Sequence, residues 1–459
     1  MIDLSYLKGK TVAVLGLGKT GLAAAQALTT SGVTVLAWDD NEAQRAAAKV
    51  TGIEIADLNT VDLSAISFLL LSPGIPHTFP APHKIVARIK KVGIKIISDI
   101  ELLLKADPAA TVIAVTGTNG KSTTTALIGH ILKECGYRLE VGGNLGQPVL
   151  GFNAVGAGGV YVLELSSYQL ELTPSLAPDI AVLLNITPDH LGRHGGMDGY
   201  IAAKRSIFRR GTRPQTAIIG IDDEPCREIA FDLANAPVFN AVTISAVSPE
   251  ASVTAIDGLL ADHRTGFAAD LTSIPSLPGA HNGQNAAASY AACVAFGVDP
   301  QSILTAMKTF PGLAHRQQRV ATINGVTYIN DSKATNAEAA GKALACYEPI
   351  YWIAGGQAKE GGLNGLEPLM PRVRRAFLIG EAEADFAAWL DRRAAYTRCG
   401  TLDRALSEAH ALAQQEQLPH AVILLSPACA SWDQFKSFEH RGEAFGAAVR
   451  ALAEKAAAA

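Results

Sequence analysis

Residues 114–128 read AVTGTNGKSTTTALI, and this stretch limits the fold more than any other. An apolar run enters, Gly117 and Gly120 turn the backbone, and Lys121-Ser122-Thr123 open a helix-forming segment. Glycines let successive backbone N–H groups converge on an anion, and the first turn of the helix adds its positive dipole end. Lys121 supplies a point charge. The hydroxyl of Ser122 or Thr123 suits the Mg²⁺ that accompanies a nucleotide phosphate. The commoner G-x-x-x-x-G-K-[ST] spacing is not met, because only Thr118 and Asn119 separate the glycines and position 115 is Val. The segment is a variant phosphate loop at a strand–helix junction. Such a junction belongs to a parallel sheet flanked by helices.

The rest of the chain follows that pattern. Short β-prone runs at 11–15, 33–37, 68–71, 160–165, 180–185 and 217–221 alternate with alanine-rich helical runs such as 21–31 and 123–135. At roughly 100–200 residues per domain, 459 residues suit two to four domains. The pattern divides into three α/β domains, 1–106, 107–313 and 314–459. The first boundary falls at KADPAA. The second falls at FPGLAH, just before RVATINGVTYIND, where Asn324-Gly325 between two β-prone runs predicts a hairpin. A hydrophobic share of 48% excludes a disordered chain. A net charge of −4 argues against a protein that coats nucleic acid or an anionic membrane. No apolar run approaches the ~18–20 residues of a spanning helix. Six cysteines without a C-x-x-C pair point to the reducing cytoplasm.

Other features carry chemistry. Gly16-Leu17-Gly18-Lys19-Thr20-Gly21 follows a strand, precedes a helix and has Asp39-Asp40 about 20 residues on. Taken alone it fits a dinucleotide site, a diphosphate site for another ligand, or a bare turn. Glu164 lies in an apolar strand, where a carboxylate is costly unless something pairs with it. Nucleotide-binding sheets place a Mg²⁺ ligand at such a position. NITPDHLGRHG sets Asn185, Asp189, His190, Arg193 and His194 after another apolar strand, where open α/β sheets form their sites. Lys204, on a helical segment, reads from chemistry alone as a solvated lysine.

Taken in order, GTNGKST, ELSSYQLE, NITPDHLGRHG, LPGAHNGQNAAAS, GLAHRQQ, NDSKATN and SPACASWDQF resemble the Mur ligases over nearly the whole chain. These are ATP-dependent amide-forming enzymes of cytoplasmic peptidoglycan precursor synthesis, on which cell shape and division depend. Within the family, GLGKTGLA, LSSYQLE, NDSKATN and SPACASWDQF look like the branch that adds D-glutamate. The resemblance implies a Rossmann-like UDP-binding domain, a central P-loop-type ATPase domain and a Rossmann-like C-terminal domain, in a monomer. It implies UDP-MurNAc-L-Ala, D-glutamate and ATP as substrates, with two Mg²⁺ ions. ATP would phosphorylate the alanine carboxylate, and the D-glutamate amine would attack the acyl phosphate.

The resemblance also assigns residues. Gly117, Thr118, Asn119, Gly120, Lys121, Ser122 and Thr123 would hold ATP, with Asn282, Asn285, Arg316 and Asp331. Ser122, Glu164 and His190 would hold metal, together with Lys204 as a carbamate, which turns a cation into an anionic oxygen ligand. Lys19, Thr20, Asp39, Asp40, Ser72, Pro73, Gly74, Asn144, Gln169 and His190 would contact the UDP substrate. AWDDNEAQR departs from the Thr/Arg pattern of some relatives, so the uracil bonds of Asp39 and Asp40 stay open. Lys333, Thr335, Lys359, Ser431 and Phe438 would receive D-glutamate. Lys121, His190, Lys204 and Lys333 form the expected catalytic set.

Overall fold

The computed structural model describes residues 1–459 except Pro237, Pro275, Glu360 and Ala459, and except the side chains of Ala280, His281 and Ala458. Three sheets carry the chain. In the first, β1 (Thr11–Leu15), β2 (Thr34–Trp38), β3 (Ile66–Leu71) and β4 (Lys95–Ile97) are parallel in the order β2-β1-β3-β4. Helices α1 (Lys19–Thr30), α2 (Glu42–Val50) and α3 (Lys84–Lys91) connect them, and α4 (Asp99–Ala106) leads onward.

The second sheet has nine strands. β5 (Thr111–Thr116), β6 (Leu139–Gly143), β7 (Val160–Glu164), β8 (Ile180–Leu183), β9 (Gln215–Gly220) and β10 (Phe239–Ser245) run parallel. β11 (Val253–Ile256) continues parallel to β10, and β12 (Leu259–Asp262) and β13 (Phe267–Asp270) add an antiparallel edge. The order is β13-β12-β11-β10-β9-β8-β5-β7-β6. Its helices are α5 (Lys121–Glu134), α6 (Ser167–Glu171), α7 (Leu191–His194), α8 (Met197–Arg205), α9 (Glu224–Ala234), α10 (Ala280–Phe296) and α11 (Pro300–Lys308). Strands β7 and β8 are buried at every residue, which is why they read as unbroken apolar runs instead of alternating ones.

The third sheet joins β14 (Gln318–Ile323), β15 (Val326–Asn330), β16 (Ile350–Gly355), β17 (Val373–Ile379), β18 (Tyr396–Gly400) and β19 (Val422–Leu425) in the order β14-β15-β19-β16-β17-β18. Of its described pairs, only β14–β15 is antiparallel. Its turn places Asn324 at φ 48° and Gly325 at φ 85°, the two left-handed residues a tight hairpin needs. Helices α12 (Ala337–Leu344), α13 (Glu383–Leu390), α14 (Leu402–Glu416) and α15 (Phe438–Ala458) complete this part.

Contacts group the chain into two compact units, Met1–Ser273 with Asn282–Phe310, and Ile274–His281 with Pro311–Ala459. One apolar core runs through the first two sheets, from Val12 and Leu28 by way of Leu102 to Val112 and Ile219. Ser98 N–H donates to Leu172 O at 2.9 Å, and Glu101 accepts from Ser175. Among the described residues no helix is long and apolar enough to cross a membrane.

Candidate functional site

The strand–turn–helix junction that the sequence predicts around Gly117 and Gly120 is present. β5 ends at Thr116, Gly117 turns at φ 155°, and Gly120 caps α5 in the left-handed region at φ 84°. A Cβ on Gly120 would lie 2.2 Å from Asn285 Oδ1, so both conformation and space require glycine there. Lys121 Nζ donates to the carbonyls of Gly117 and Thr118 at 2.9 and 2.8 Å, curled over its own loop. Ser122 is buried and Thr123 half-buried at the helix start. Thr118 Oγ1 lies 3.0 Å from Tyr200 OH. Asn285 accepts from Thr124 Oγ1 and donates to Asn282, which fixes α10 beside the loop.

Two buried charges flank this loop. Glu164 ends β7, which pairs with β5, and is 2% exposed. Its Oε1 accepts from Asn144 Nδ2 at 2.7 Å, while Oε2 has no hydrogen-bond partner. A buried carboxylate oxygen without a donor is what a hard cation would complete. Lys204, on α8, is 2% exposed and donates to Gly117 O at 2.7 Å. The reading of Lys204 as a solvated lysine is therefore overturned. Burial, and next the charge of Lys121, pull its ammonium down to about 7. Much of it is an uncharged amine at neutral pH, the form that adds to CO₂. Among the described residues no three His, Cys, Asp or Glu side chains cluster as metal ligands. Mg²⁺ needs none, since it takes one or two carboxylates plus phosphates and water.

His190 caps α7 at φ 52°, with its side chain 56% exposed and Nε2 3.4 Å from Asp189. Gln169 is buried, and its Oε1 closes a capping box with Ser166 at the start of α6. His194 is buried between Ser167 Oγ at 2.9 Å and Glu171 Oε1 at 3.2 Å. Arg193 stacks on Tyr168 and donates to Gly74 O at 2.9 Å, tying α7 to the loop that holds Ser72, Pro73 and Gly74.

The first glycine loop is closed by its own sheet. Gly21 packs so near Gly16 that a Cβ would sit 1.7 Å from its carbonyl oxygen. Ser72 Oγ donates to Gly16 O. Asp39 accepts from the N–H of Leu17 at 2.7 Å and of Asn41 at 2.8 Å, so its carboxylate braces the loop. Asp40 accepts from Trp38 Nε1 and meets His83 at 3.0 Å, and the His83 bond first of all lowers its pKa. Lys19 and Thr20 begin α1 just past the loop.

In the second unit, Asp331 follows β15, accepting from Gln317 N–H at 3.1 Å and Ser426 Oγ at 2.7 Å. Burial pushes its carboxyl up to about 7. Lys333 Nζ lies 5.2 Å from the Phe438 ring centre. Thr335 is half-buried, Lys359 exposed and Ser431 buried. Arg441, which sequence reasoning missed, is 1% exposed. It donates to Ser332 Oγ at 3.0 Å, Ser332 O at 2.8 Å and Cys429 O at 3.0 Å, joining the Lys333 loop to the one before Ser431. Its only signal in the sequence is an arginine one turn past Phe438. A cavity of about 660 Å³ at the N-terminal ends of β5, β8 and β9, lined by Thr111, Asp179 and Gln215, holds none of the expected site residues.

A twice-used glycine turn, a loop for phosphate and a buried carboxylate with an open oxygen define a nucleotide-dependent α/β enzyme, and comparison with known proteins agrees. Residues 115–293 match the Mur ligase middle domain, and residues 10–98 match the MurD-like N-terminal domain of the Mur ligases. The chain belongs to the Mur ligase family. It is 53% identical, over 100% of both chains, to the UDP-N-acetylmuramoylalanine–D-glutamate ligase of Paramagnetospirillum magneticum. It is also 53% identical to the ligase of that name from Rhodospirillum rubrum, over 100% of this chain and 98% of that one. Among solved structures it resembles UDP-N-acetylmuramate-alanine ligase MurC from Thermotoga maritima, with TM-score 0.59, 17% identity and coverage of 96% and 99%. MurF from Acinetobacter baumannii follows with TM-score 0.57, 19% identity and coverage of 97% and 92%. The three α/β domains with parallel-rich sheets are the fold of this family.

Proposed function

We propose that this chain joins the L-alanine carboxylate of UDP-MurNAc-L-Ala to the amine of D-glutamate, turning ATP into ADP and phosphate. The observation that carries the reading is full-length identity of 53% to ligases named for that product bond. The phosphate loop, with Lys121, Glu164 and Lys204 around it, supports the same chemistry.

A carboxylate is a poor electrophile and repels ATP, so the site must first offset charge and align the reactants. Lys121 would give up the carbonyls of Gly117 and Thr118 for phosphate oxygens. Asn282, Asn285, Arg316 and Asp331 take the remaining nucleotide roles. Ser122 and Glu164 would hold one Mg²⁺, and His190 with a carbamylated Lys204 a second. Mg²⁺ supplies neutralisation of phosphate charge. Lys19, Thr20, Asp39, Asp40, the Ser72–Gly74 loop, Asn144 and Gln169 orient the UDP-sugar. Lys333, Thr335, Lys359 and Ser431 bind the two carboxylates of D-glutamate beside Phe438; its ammonium must give up a proton to solvent before the free amine attacks the acyl phosphate.

The purified chain should release phosphate only with ATP, Mg²⁺, UDP-MurNAc-L-Ala and D-glutamate together. Isotopic oxygen in the alanine carboxyl should appear in that phosphate. Equal turnover with L-alanine, L-lysine or a dipeptide would sink the acceptor assignment. A carbamate resonance from labelled bicarbonate, absent in Lys204→Arg, tests the modification of Lys204.

A further inference from the structure

Three polar side chains and one backbone peptide form a continuous chain along the C-terminal edge of the second sheet. Asp222 follows β9, Asn185 follows β8, and Asn119 lies in the loop after β5, three adjacent strands. Gln284, on α10, spans the first gap. Its Nε2 donates to Asp222 Oδ2 at 2.9 Å, and its Oε1 accepts from Asn185 Nδ2 at 2.8 Å. Asn185 Oδ1 then accepts from the N–H of Asn119 at 2.8 Å, and its Nδ2 also reaches Asn119 O at 3.3 Å. Gln284 is 7% exposed, and a Cβ at Gly220 would lie 2.9 Å from its Nε2, so the passage is closely fitted.

The chain has a direction. An ionised carboxylate only accepts, and Asp222 also accepts from Ser245 Oγ and from Ala246 N–H. Gln284 must therefore turn its NH₂ to Asp222 and its oxygen to Asn185. Asn185 must answer with its NH₂, which leaves its oxygen for Asn119. The peptide is planar and trans, so holding Asn119 O toward Asn185 faces the Gly120 N–H the opposite way.

We propose that Gln284 is a positioning residue for nucleotide binding: it transmits the acceptor-only character of Asp222 through Asn185 and so sets the peptide orientation of the phosphate loop at Asn119–Gly120. The proposal rests on the nucleotide-binding reading above. It goes beyond Asn282 and Asn285 on the same helix, whose assignment came from resemblance. Orientation of loop amides decides how many can face a phosphate.

The test is calorimetric binding of ATP with Mg²⁺ to the full chain carrying Gln284→Met or Gln284→Glu, each as a ratio to the unaltered protein. Gln284→Met has matched length and no polarity, and should bind about tenfold more weakly at every pH. In Gln284→Glu two carboxylates meet, which raises one of the pair's two macroscopic pKa values. Ionised, the introduced carboxylate repels Asp222; protonated, it donates to Asp222 and accepts from Asn185, restoring the direction. The affinity ratio of Gln284→Glu should be about tenfold low near pH 8.5 and rise toward one as pH falls and the pair takes up its proton. The other charges here include Asp223, whose carboxylate bonds the Ile186 and Cys226 amides, Arg227, whose guanidinium donates to Ile221 O, and Lys121 and Lys204 at Gly117. All are common to both proteins, so their effects cancel in the ratio. A role limited to filling space would give a ratio that does not change with pH. A flat Gln284→Glu ratio, or Gln284→Met binding like the unaltered chain, overturns the relay alone. If Gln284→Glu does not fold, Gln284→Met decides. Failure of the unaltered chain to bind ATP overturns the functional reading and the relay with it.

Discussion

Arg441→Met removes a cation that holds two loops together. The guanidinium makes three bonds of 3.0 Å or less, to Ser332 Oγ, Ser332 O and Cys429 O, and a longer one to Ala430 O. With methionine there, the Ser332 and Cys429 carbonyls stay buried without that donor, at about 1–3 kcal/mol each. A partial offset follows, because the fold no longer keeps a guanidinium out of water; that burial is what lowers its pKa to about 10. The expected net loss is about 2–4 kcal/mol. Three of the four tryptophans, Trp352, Trp389 and Trp432, lie in the second unit, so tryptophan emission follows that unit during urea unfolding. At about 2 kcal/mol per molar urea, the midpoint should fall by about 1–2 M. The KM for D-glutamate should rise more than the KM for ATP, since the joined loops carry Lys333 and Ser431. An unchanged midpoint with an unchanged D-glutamate KM would refute the bracing role.

Three other outcomes follow from the geometry. Gly120→Ala forces a left-handed alanine, at about 1–2 kcal/mol, and drives Asn285 off the loop; ATP affinity should drop at least about tenfold, and titration calorimetry showing no change would sink the argument. Asp331 has a folded pKa raised to about 7 from 3.8, so its contribution to stability is complete below about pH 4 and fades as pH rises through 7. Asp331→Asn should remove that slope from the tryptophan-detected unfolding of the second unit, and an identical slope in both proteins would count against it. Lys204→Arg cannot take up CO₂ and should lose phosphate release by about a hundredfold or more while still unfolding cooperatively; near-normal turnover would exclude the carbamate role.

The parts of the fold legible in the sequence are those whose signal is local. β7 and β8 are buried on both faces and read as apolar runs, and Asn324-Gly325 states its own turn. The β11–β13 edge escaped notice although Asp257-Gly258 marks its hairpin, with φ 50° and 81°, because strands of four residues give little pattern. Burial of single charges is not local at all. Lys204 looks solvated until Gly117, 87 positions away, is folded against it. Arg441 meets Ser332 across 109 positions, and Gln284 meets Asp222 across 62. The family resemblance supplied Lys204 where chemistry could not, and it left out Arg441 and Gln284.

Buried charges gather at the sheet edges where open α/β sheets leave room for ligands. Glu164, Lys204, Asp331 and Arg441 are each 7% exposed or less, and their described hydrogen-bond partners are neutral: an asparagine amide, a glycine carbonyl, a serine with a backbone N–H, and a serine with carbonyls. For Lys204, Asp331 and Arg441 burial is the leading cause of shift and favours the uncharged form. A fold selected only for stability would replace such groups with packed apolar side chains, since isolated buried charges cost more than they return. All but Arg441 lie on or beside loops that leave the C-terminal ends of parallel strands, and Arg441 braces two more such loops. That is the edge where crossover connections leave open space for a ligand. For Glu164 and Lys204, beside the phosphate loop, a polyphosphate and its metal would bring the counter-charges that these neutral partners do not. Ligand binding and charge compensation would then be one event for those two groups.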